Sequence, residues 1–448
     1  MKRLLAAAAA IILLSAQSAS AQAILRDAET EAMFAQMAAP LVKAAGLQNA
    51  NVKVVLIQDD EINAFTAGGQ TIYVNSGLIE AADNANQVQG VIAHELGHVA
   101  DGHVLLGSAG AKPAMGIMIL SLVLAAAAAA AGSGDAAAGL FQAGQQAATG
   151  RYLSFSRIQE STADATGAKF LRESGITGKG MLDFFKKLQN QEYRYGVENI
   201  DPFAQTHPLS GERIAHLTAD ITSSPAYNTP PDPALNEQFK RIKAKLMGYV
   251  DPYARTLQAY PETDNTIYAH YARAYAWHQA GYPDKADAET RALIAAEPHD
   301  PYFLEIRGQI LLEAGNPRAS LAPLREATER SGDSPLIATT FGHALIATED
   351  NANLPEAIRI LRQAVARDDE NPFAWYQLGT AYEASGDQAR AMLSRAESAS
   401  INGDSKLAAY TARNAMAGLP PNSSDWIRAQ DIAMTAQNDI DDQKHHRK

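Results

Sequence analysis

The chain has 448 residues, which is enough for two or three domains with a sizeable core. Its net charge of -12 argues against a nucleic-acid partner, because binding to phosphates needs basic patches. The sequence contains no cysteine, which excludes disulfides, thiolate metal sites and a cysteine nucleophile. Any metal ligands must therefore be histidines or carboxylates.

The first 21 residues have the pattern of a signal peptide. Lys2 and Arg3 precede an apolar run from Leu4 to Leu14, and Ala19-Ser20-Ala21 is a small-residue cleavage sequence. A membrane anchor is the alternative, but the apolar run is too short to span a bilayer. No cysteine follows, so a lipoprotein anchor is excluded. We expect a soluble periplasmic protein that starts at Gln22.

The next segment predicts one helix and three short strands. Apolar spacing predicts a helix over residues 27–46. Strands are predicted at Asn51–Leu56, Asn63–Ala67 and Thr71–Val74, with a turn at Gly68-Gly69 between the last two. An extended substrate could add as a strand to an exposed edge of this sheet, and we expect Thr71–Val74 to be that edge.

A short helix capped by Ser76 precedes a longer one, expected from about Asn86 to His103, which contains His94-Glu95-Leu96-Gly97-His98. His94 and His98 lie one turn apart on the same helix face, so both imidazoles can reach one metal ion. Glu95 could hold a water without being a ligand. This is the HExxH arrangement of a zinc peptidase. Two surface histidines on an ordinary helix are the alternative, but the apolar residues before the motif indicate a buried helix.

The segment from Met115 to Ala131 is a 17-residue apolar run, near the lower limit for a membrane span. Seven of these residues are consecutive alanines, which contribute little hydrophobicity, and the returning segment Ala136–Ala148 is too polar to cross back. The pattern favours a buried or lid-like helical hairpin, with contact to a membrane surface as the alternative and no spanning helix.

A helix expected over Arg151–Ser174 carries two acidic residues, Glu160 and Asp164, on one face. A catalytic zinc site needs a third protein ligand and keeps its fourth position for water, and Glu160 is the best candidate for that ligand. Asp164 could then accept the remaining ring N–H of a ligating histidine, His94. Two solvated carboxylates are the alternative reading.

Thr206-His207-Pro208 predicts a turn into a helix that Ser210 could cap. His207 could approach the metal from its open side, where it would either close the site or stabilise the oxyanion. Arg213 could meet the substrate carbonyl or brace an acidic ligand. Both are candidate catalytic residues beside Glu95, although a histidine before proline is more often structural.

Residues 223–233 are rich in serine and proline and are predicted to be a linker between two domains. Beyond it, Gly281 and Gly315 are 34 residues apart, as are Gly308 and Gly342, and a three-residue insertion around Asn351–Leu354 lengthens the next interval. This period predicts tetratricopeptide repeats, whose small residues let paired helices approach closely. We expect about four units over 265–438, a further helix pair at 234–260, and a polar tail over 439–448 whose last residues, Lys444–Lys448, are disordered.

Together these segments resemble zinc metallopeptidases of the HtpX and CAAX-prenyl-protease type, and within them the periplasmic BepA/YfgC group, which joins that domain to tetratricopeptide repeats. The resemblance is carried by three sets of residues: Asn63-Ala64-Phe65 with Tyr73–Leu78, the motif His94–His98, and Glu160–Asp164 with Thr206–Pro208. It implies one zinc ion on His94, His98 and Glu160, with Glu95 as the base. It also implies a role in assembly and quality control of outer-membrane β-barrel proteins, in contact with their assembly machinery.

The expected fold is an α+β zincin-like peptidase domain over residues 22–222, mostly helical with a small sheet, followed by an all-α tetratricopeptide-repeat solenoid over 234–438. The expected activity is zinc-dependent endopeptidase cleavage, of the gluzincin type, of misfolded or stalled exported proteins. The alternative is a chaperone or adaptor in which the repeats act and the zinc site is structural or self-inhibited. A membrane-bound prenyl-protein protease is disfavoured because the apolar segments are too weak to span a membrane.

Overall fold

The computed structural model describes residues 23–67, 69–130, 134–195 and 207–445. The predicted signal peptide, Gly68, Thr206 and the last three residues of the polar tail lie outside these described residues. The chain divides into two compact units, Met1–Arg26 with Thr30–Lys240, and Asp27–Glu29 with Arg241–Lys448. The assignment of residues 22–222 and 234–438 to separate functional domains stays a prediction.

The first unit contains a four-stranded sheet formed by β1 (Ala23–Leu25), β2 (Lys53–Gln58), β3 (Ala64–Ala67) and β4 (Thr71–Asn75). The strand order is β1-β2-β4-β3, with β2 and β4 parallel and the other two pairs antiparallel. The three predicted strands are present, but the expectation that Thr71–Val74 forms an edge is wrong. Strand β4 has a neighbour on both sides, because β2 pairs with it across a crossover that local sequence cannot reveal.

The helices of the first unit include a 16-residue helix that carries the HExxH motif. They are α1 (Ala28–Ala44), α2 (Ser76–Ala81), α3 (Ala85–Ala100), α4 (His103–Ala130), α5 (Gly134–Glu173), α6 (Lys179–Tyr195), α7 (Gly211–Ser223) and α8 (Pro233–Val250), which continues into the second unit. Asn84 caps α3 by accepting from the backbone N–H of Gln87. The motif helix was expected to reach His103, but it ends at Ala100, and Gly102 (φ 70°) turns the chain into α4.

Helices α4 and α5 pack against each other as a hairpin, as the sequence predicts. Of the two forms expected for the hairpin, buried or lid-like, the buried form is wrong, because Leu120 and Val123 are each 60% exposed. An apolar run gives no information on whether protein or another apolar phase covers it. None of the helices in the described part of the chain is long and apolar enough to cross a membrane.

The second unit consists of helices joined in antiparallel pairs by short turns. They are α9 (Tyr253–Ala259), α10 (Ile267–Gln279), α11 (Pro283–Ala296), α12 (Pro301–Glu313), α13 (Pro317–Arg330), α14 (Pro335–Ala347), α15 (Leu354–Arg367), α16 (Pro372–Ala384), α17 (Gln388–Ile401), α18 (Ser405–Gly418) and α19 (Ser424–His445). Helices α10 to α19 form five pairs rather than about four units. The polar tail expected over 439–448 continues α19 as far as His445.

The repeated glycines of the second unit have two different structural roles. Gly281 and Gly315 adopt positive φ values of 77° and 79° in the turns between paired helices. Gly308 and Gly342 instead lie inside α12 and α14, where an added Cβ would collide with Leu324 or Leu361 on the partner helix. The 34-residue spacing therefore reflects one turn and one close helix contact in each tetratricopeptide repeat.

Candidate metal centre

The motif helix α3 is buried along its length between the sheet and helices α5 and α6. Two glycines let α3 and α5 approach closely. A Cβ on Gly97 would lie 2.7 Å from the carbonyl oxygen of Ala163, and a Cβ on Gly167 would lie 2.9 Å from that of Ala93. Because nothing larger than hydrogen fits at these positions, the two helices meet backbone to backbone, and the acidic face of α5 reaches the histidines of α3.

Four buried side chains converge at this helix contact: His94, His98, Glu160 and His207. The Nε2 atoms of His94 and His98 are 3.2 Å apart, and Nε2 of His94 is 3.4 Å from Oε2 of Glu160. Nε2 of His98 lies 3.3 Å from Oε1 of Glu160. Nδ1 of His207 lies 3.3 Å from Nε2 of His94 and 3.0 Å from Oε2 of Glu160. The structure thus brings the three sequence-predicted ligands together and adds His207 as a fourth group.

These separations have the size expected for ligands around one zinc ion. In a tetrahedral site with bonds of about 2.0–2.1 Å, neighbouring ligand atoms are about 3.3–3.4 Å apart. The observed distances of 3.0–3.4 Å fall close to that edge length. Nitrogen and carboxylate donors also suit zinc, since the chain offers no thiolate. The residues present therefore fit a tetrahedral zinc ion.

Glu95, which is also on α3, lies beside these four residues but is not one of the candidate metal ligands. Its side chain is fully buried, and neither carboxylate oxygen accepts a hydrogen bond from any described residue. Nε2 of His207 lies 3.5 Å from Oε1 of Glu95. A buried carboxylate without a donor is costly, so it indicates a group outside the chain, such as a water held at the metal.

Asp164 and Arg213 support the ligands from the side of α5 and α7. Oδ1 of Asp164 lies 3.0 Å from Nδ1 of His94. Arg213 donates to both carboxylate oxygens of Asp164 at 2.8 Å and lies 3.2 Å from Oε2 of Glu160. It also donates to the backbone carbonyls of His207 and Pro208. Of the two predicted roles of Arg213, this geometry favours bracing the acidic residues over contacting substrate.

The charges of the site are strongly coupled. Burial opposes ionisation of Glu160, but His207, His94 and His98 hold the pKa of its carboxyl well below the usual value. Burial likewise disfavours the charged form of His94, but hydrogen bonds and negative charge from Asp164 and Glu160 outweigh it and raise the pKa of His94 to about 10. Metal binding at His94 therefore has to displace a proton.

His103 is a site residue that the sequence analysis missed. Its Nδ1 lies 3.0 Å from Nδ1 of His98, with the two rings edge to face. Burial and the nearby His98 lower the pKa of His103, which keeps it neutral and able to accept the His98 N–H. The sequence places a histidine five residues after His98. The contact was missed because a continuous helix to His103 was predicted, without the turn at Gly102.

We expect His103→Ala to weaken metal binding, because an outer-shell partner that fixes the tautomer of a ligand typically contributes about 10–100-fold in affinity. His103→Asn should restore most of the loss, since its Oδ1 can accept the same N–H, whereas His103→Phe keeps a ring without an acceptor. Chelator competition for Zn2+ measures all three variants. Equal affinity of the Ala, Phe and wild-type proteins would rule out this role.

Comparison with known proteins places this site in a family. Residues 25–221 match the model of Peptidase family M48. The chain is 25% identical over 360 residues to the beta-barrel assembly-enhancing protease of Yersinia pestis. The aligned residues cover 78% of this chain and 71% of that protein. It is also 25% identical over 385 residues to the protein of the same name from Escherichia coli (strain K12), covering 81% and 71%.

A third relative aligns with just under half of the chain. This is a protease HtpX homolog of Pelotomaculum thermopropionicum, 30% identical over 222 residues, which make up 46% of this chain and 72% of that protein. The family match covers all four converging residues, His94, His98, Glu160 and His207. The chain belongs to Peptidase family M48, a family of metallopeptidases.

Proposed function

We propose that this chain is a periplasmic zinc-dependent endopeptidase that cleaves misfolded or stalled exported proteins, with one zinc ion per chain. The observation that carries the proposal is the buried Glu95 carboxylate, which faces the metal-ligand group without a hydrogen-bond donor among the described residues. A purely structural metal site has no need of a base there, whereas hydrolysis does.

The mechanism assigns a separate task to each group. His94, His98 and Glu160 would hold the zinc, which when bound supplies a Lewis acid and lowers the pKa of a water toward neutrality. Glu95 takes the proton of the attacking water and passes it to the leaving amine. Asp164 fixes the tautomer of His94 through Nδ1, and Arg213 holds Asp164 and Glu160 in place.

The sheet provides a place for an extended substrate. Strand β3 is an edge of the four-stranded sheet and packs against the motif helix α3. An unfolded chain could pair with this edge through backbone hydrogen bonds, with little dependence on its sequence. This arrangement supports unfolded proteins as the substrate class, presented beside the motif helix α3.

The biological setting is proposed from the relatives. Two of them are named beta-barrel assembly-enhancing proteases and align with most of both chains. We assign this chain to the assembly and quality control of outer-membrane β-barrel proteins, with the repeats binding substrate or the assembly machinery. Residues 1–21 are the proposed signal peptide for export.

Metal removal tests the enzymatic part of the proposal. Purified protein should contain about one zinc per chain and cleave casein, and treatment with a chelator should stop cleavage. One equivalent of Zn2+ should restore it, while Mg2+, which prefers octahedral oxygen ligands, should not. Cleavage that persists at full rate in metal-free protein would contradict the proposal.

A second candidate function is favoured by one observation, the place of His207 among the four converging groups. Four protein ligands are typical of a closed, structural zinc site. The chain could therefore be an adaptor with a structural zinc, or a peptidase whose resting site is closed by His207. Because Glu95 is buried beside the group, we favour the self-inhibited peptidase.

We expect His207→Ala to raise basal casein cleavage by about tenfold or more while zinc is retained, because an imidazole in the fourth position must leave before water can enter. If His207 instead stabilises the oxyanion, its loss should lower cleavage by about 10²–10³-fold. Zinc content is measured in parallel. The exposed histidine variant His216→Ala, on the neighbouring helix α7, is the matched control and should leave the rate unchanged.

A further inference from the structure

The hairpin of α4 and α5 carries a large apolar surface that the proposed peptidase mechanism does not use. Among the side chains that the structure describes, the exposed large apolar ones include Met115, Ile119, Leu120, Leu122, Val123 and Leu124 on α4, and Leu140, Phe141 and Ile158 on α5. Single exposed apolar residues are common on protein surfaces, but a group of this size on one element marks an interaction surface.

The two helices of the hairpin meet through small residues. Ser121 and Ala125 on α4, and Gly144 and Ala148 on α5, are buried in the contact, each pair spaced by four residues. A Cβ on Gly144 would collide with Ser121, so the backbones approach closely. A helix pair in water buries its large apolar residues and exposes polar ones, whereas here small residues form the contact and large ones face out. That is the packing of helices in lipid.

The arc over which α4 exposes apolar side chains distinguishes a lipid partner from a protein partner. At about 100° per residue, the exposed side chains from Met115 to Leu124 cover an arc of roughly 200°, and Ser121 and Ala125 lie in the remaining sector. A helix that docks on a protein surface typically buries a stripe of about 100°. An occupant that covers twice that arc must surround the helix, as the acyl chains of a bilayer do.

Charge and polarity define how the hairpin would lie. From His103 to Ile158 the sequence has three cationic residues, Lys112, Arg151 and Arg157, against one anionic residue, Asp135, although the whole chain has a net charge of -12. Arg151 is exposed on α5, and so are Gln142, Gln145 and Gln146. A cationic and polar helix beside an apolar one suits the headgroup level of an anionic membrane.

We propose that this hairpin is an interfacial membrane anchor, in which α4 inserts its exposed apolar side chains into an anionic lipid leaflet while α5 stays at the headgroups. The anchor would lie in the plane of the interface and would not cross the bilayer. Because α4 begins at His103, which contacts the ligand His98, the anchor would hold the metal centre close to the membrane surface.

Vesicle flotation tests the anchor with the chain from Gln22 onward, since residues 1–21 would themselves partition into lipid. Vesicles of phosphatidylethanolamine and phosphatidylglycerol should bind the protein, and phosphatidylcholine vesicles should bind it less.

Leu120→Ser/Val123→Ser should lower the partition coefficient by about tenfold or more, with casein cleavage unchanged. Met434→Ser removes an equally exposed apolar side chain from α19 and should change nothing. Arg151→Gln should weaken binding to the anionic vesicles about fivefold.

Insertion itself has a spectroscopic readout, because none of the three tryptophans (Trp277, Trp375 and Trp426) lies in the hairpin. Leu120→Trp should show a blue-shifted emission with anionic vesicles and quenching by brominated acyl chains. The proposal is overturned if the double variant floats as well as wild type, or if wild type does not float. It is also overturned if the apolar patch serves another occupant. That outcome would appear as dimerisation in sedimentation velocity, or as casein binding, which the double variant loses while its flotation stays unchanged.

Discussion

Glu95→Gln is expected to abolish peptide hydrolysis while leaving the metal and the fold in place. The amide keeps the size of the side chain but cannot accept the proton of the attacking water, so kcat for casein should fall by about 10²–10⁴-fold. Zinc content should not change, because Glu95 contributes no atom to the four-residue ligand group. Casein cleavage and metal analysis on the same preparation measure both effects.

Stability gives the Glu95 experiment a second readout. The carboxyl group is fully buried and accepts no hydrogen bond from the described residues, so replacing it with an amide of equal size breaks no hydrogen bond in this part of the chain. The melting temperature of the metal-free variant should therefore equal or exceed that of metal-free wild type. Glu61→Gln, at an exposed site in the same unit, is the control and should alter neither rate nor stability.

The outcomes for Glu95→Gln separate the two candidate functions. A variant that cleaves casein at the wild-type rate would refute the peptidase mechanism. A variant that cannot cleave casein but still supports outer-membrane protein assembly in cells would show that the repeats act as an adaptor without hydrolysis. Loss of both activities, with zinc and fold retained, would tie the cellular role to peptide cleavage.

Much of the candidate site could be predicted because its parts are encoded locally. The pairs His94–His98 and Glu160–Asp164 each depend on helical spacing within one element, which a sequence pattern reports directly. Their convergence depends on Gly97 and Gly167, which let α3 and α5 touch backbone to backbone. The repeats could also be predicted from the sequence. The 34-residue period includes two glycines of each helix pair, one in the turn and one in the contact between the helices.

The features that the sequence could not supply depend on how separate elements are joined and packed. The edge strand was predicted wrongly because the pairing of β2 with β4 depends on a crossover and not on the strands themselves. His103 was overlooked because the left-handed turn at Gly102 folds it back onto His98. Whether the run after Met115 is buried or exposed could not be predicted, because hydropathy reports affinity for an apolar phase without saying which phase covers the helix.

We expect Glu160→Gln to lose most of the affinity for zinc. Glu160 is the acidic member of the four-residue group that could hold a metal ion, and it lies 3.0–3.4 Å from three histidine nitrogens. A neutral amide is a poor zinc ligand, and its loss of charge also removes attraction for the cation. Zinc affinity should therefore fall by more than the roughly 10–100-fold that an outer-shell change produces.

Asp164→Asn supplies the matched comparison, one turn further along the same face of α5. Asp164 contacts His94 and Arg213 but is not a member of the ligand group, so its amide should lower zinc affinity only within the outer-shell range. Chelator competition ranks the two variants, and thermal unfolding of the metal-free proteins checks that each is folded, since Arg213 loses part of a buried ion pair in both. Equal losses in the two variants, or full zinc retention in Glu160→Gln, would remove Glu160 from the ligand set. A larger loss for Glu160→Gln would instead assign it as the third protein ligand and leave Asp164 as the group that orients His94.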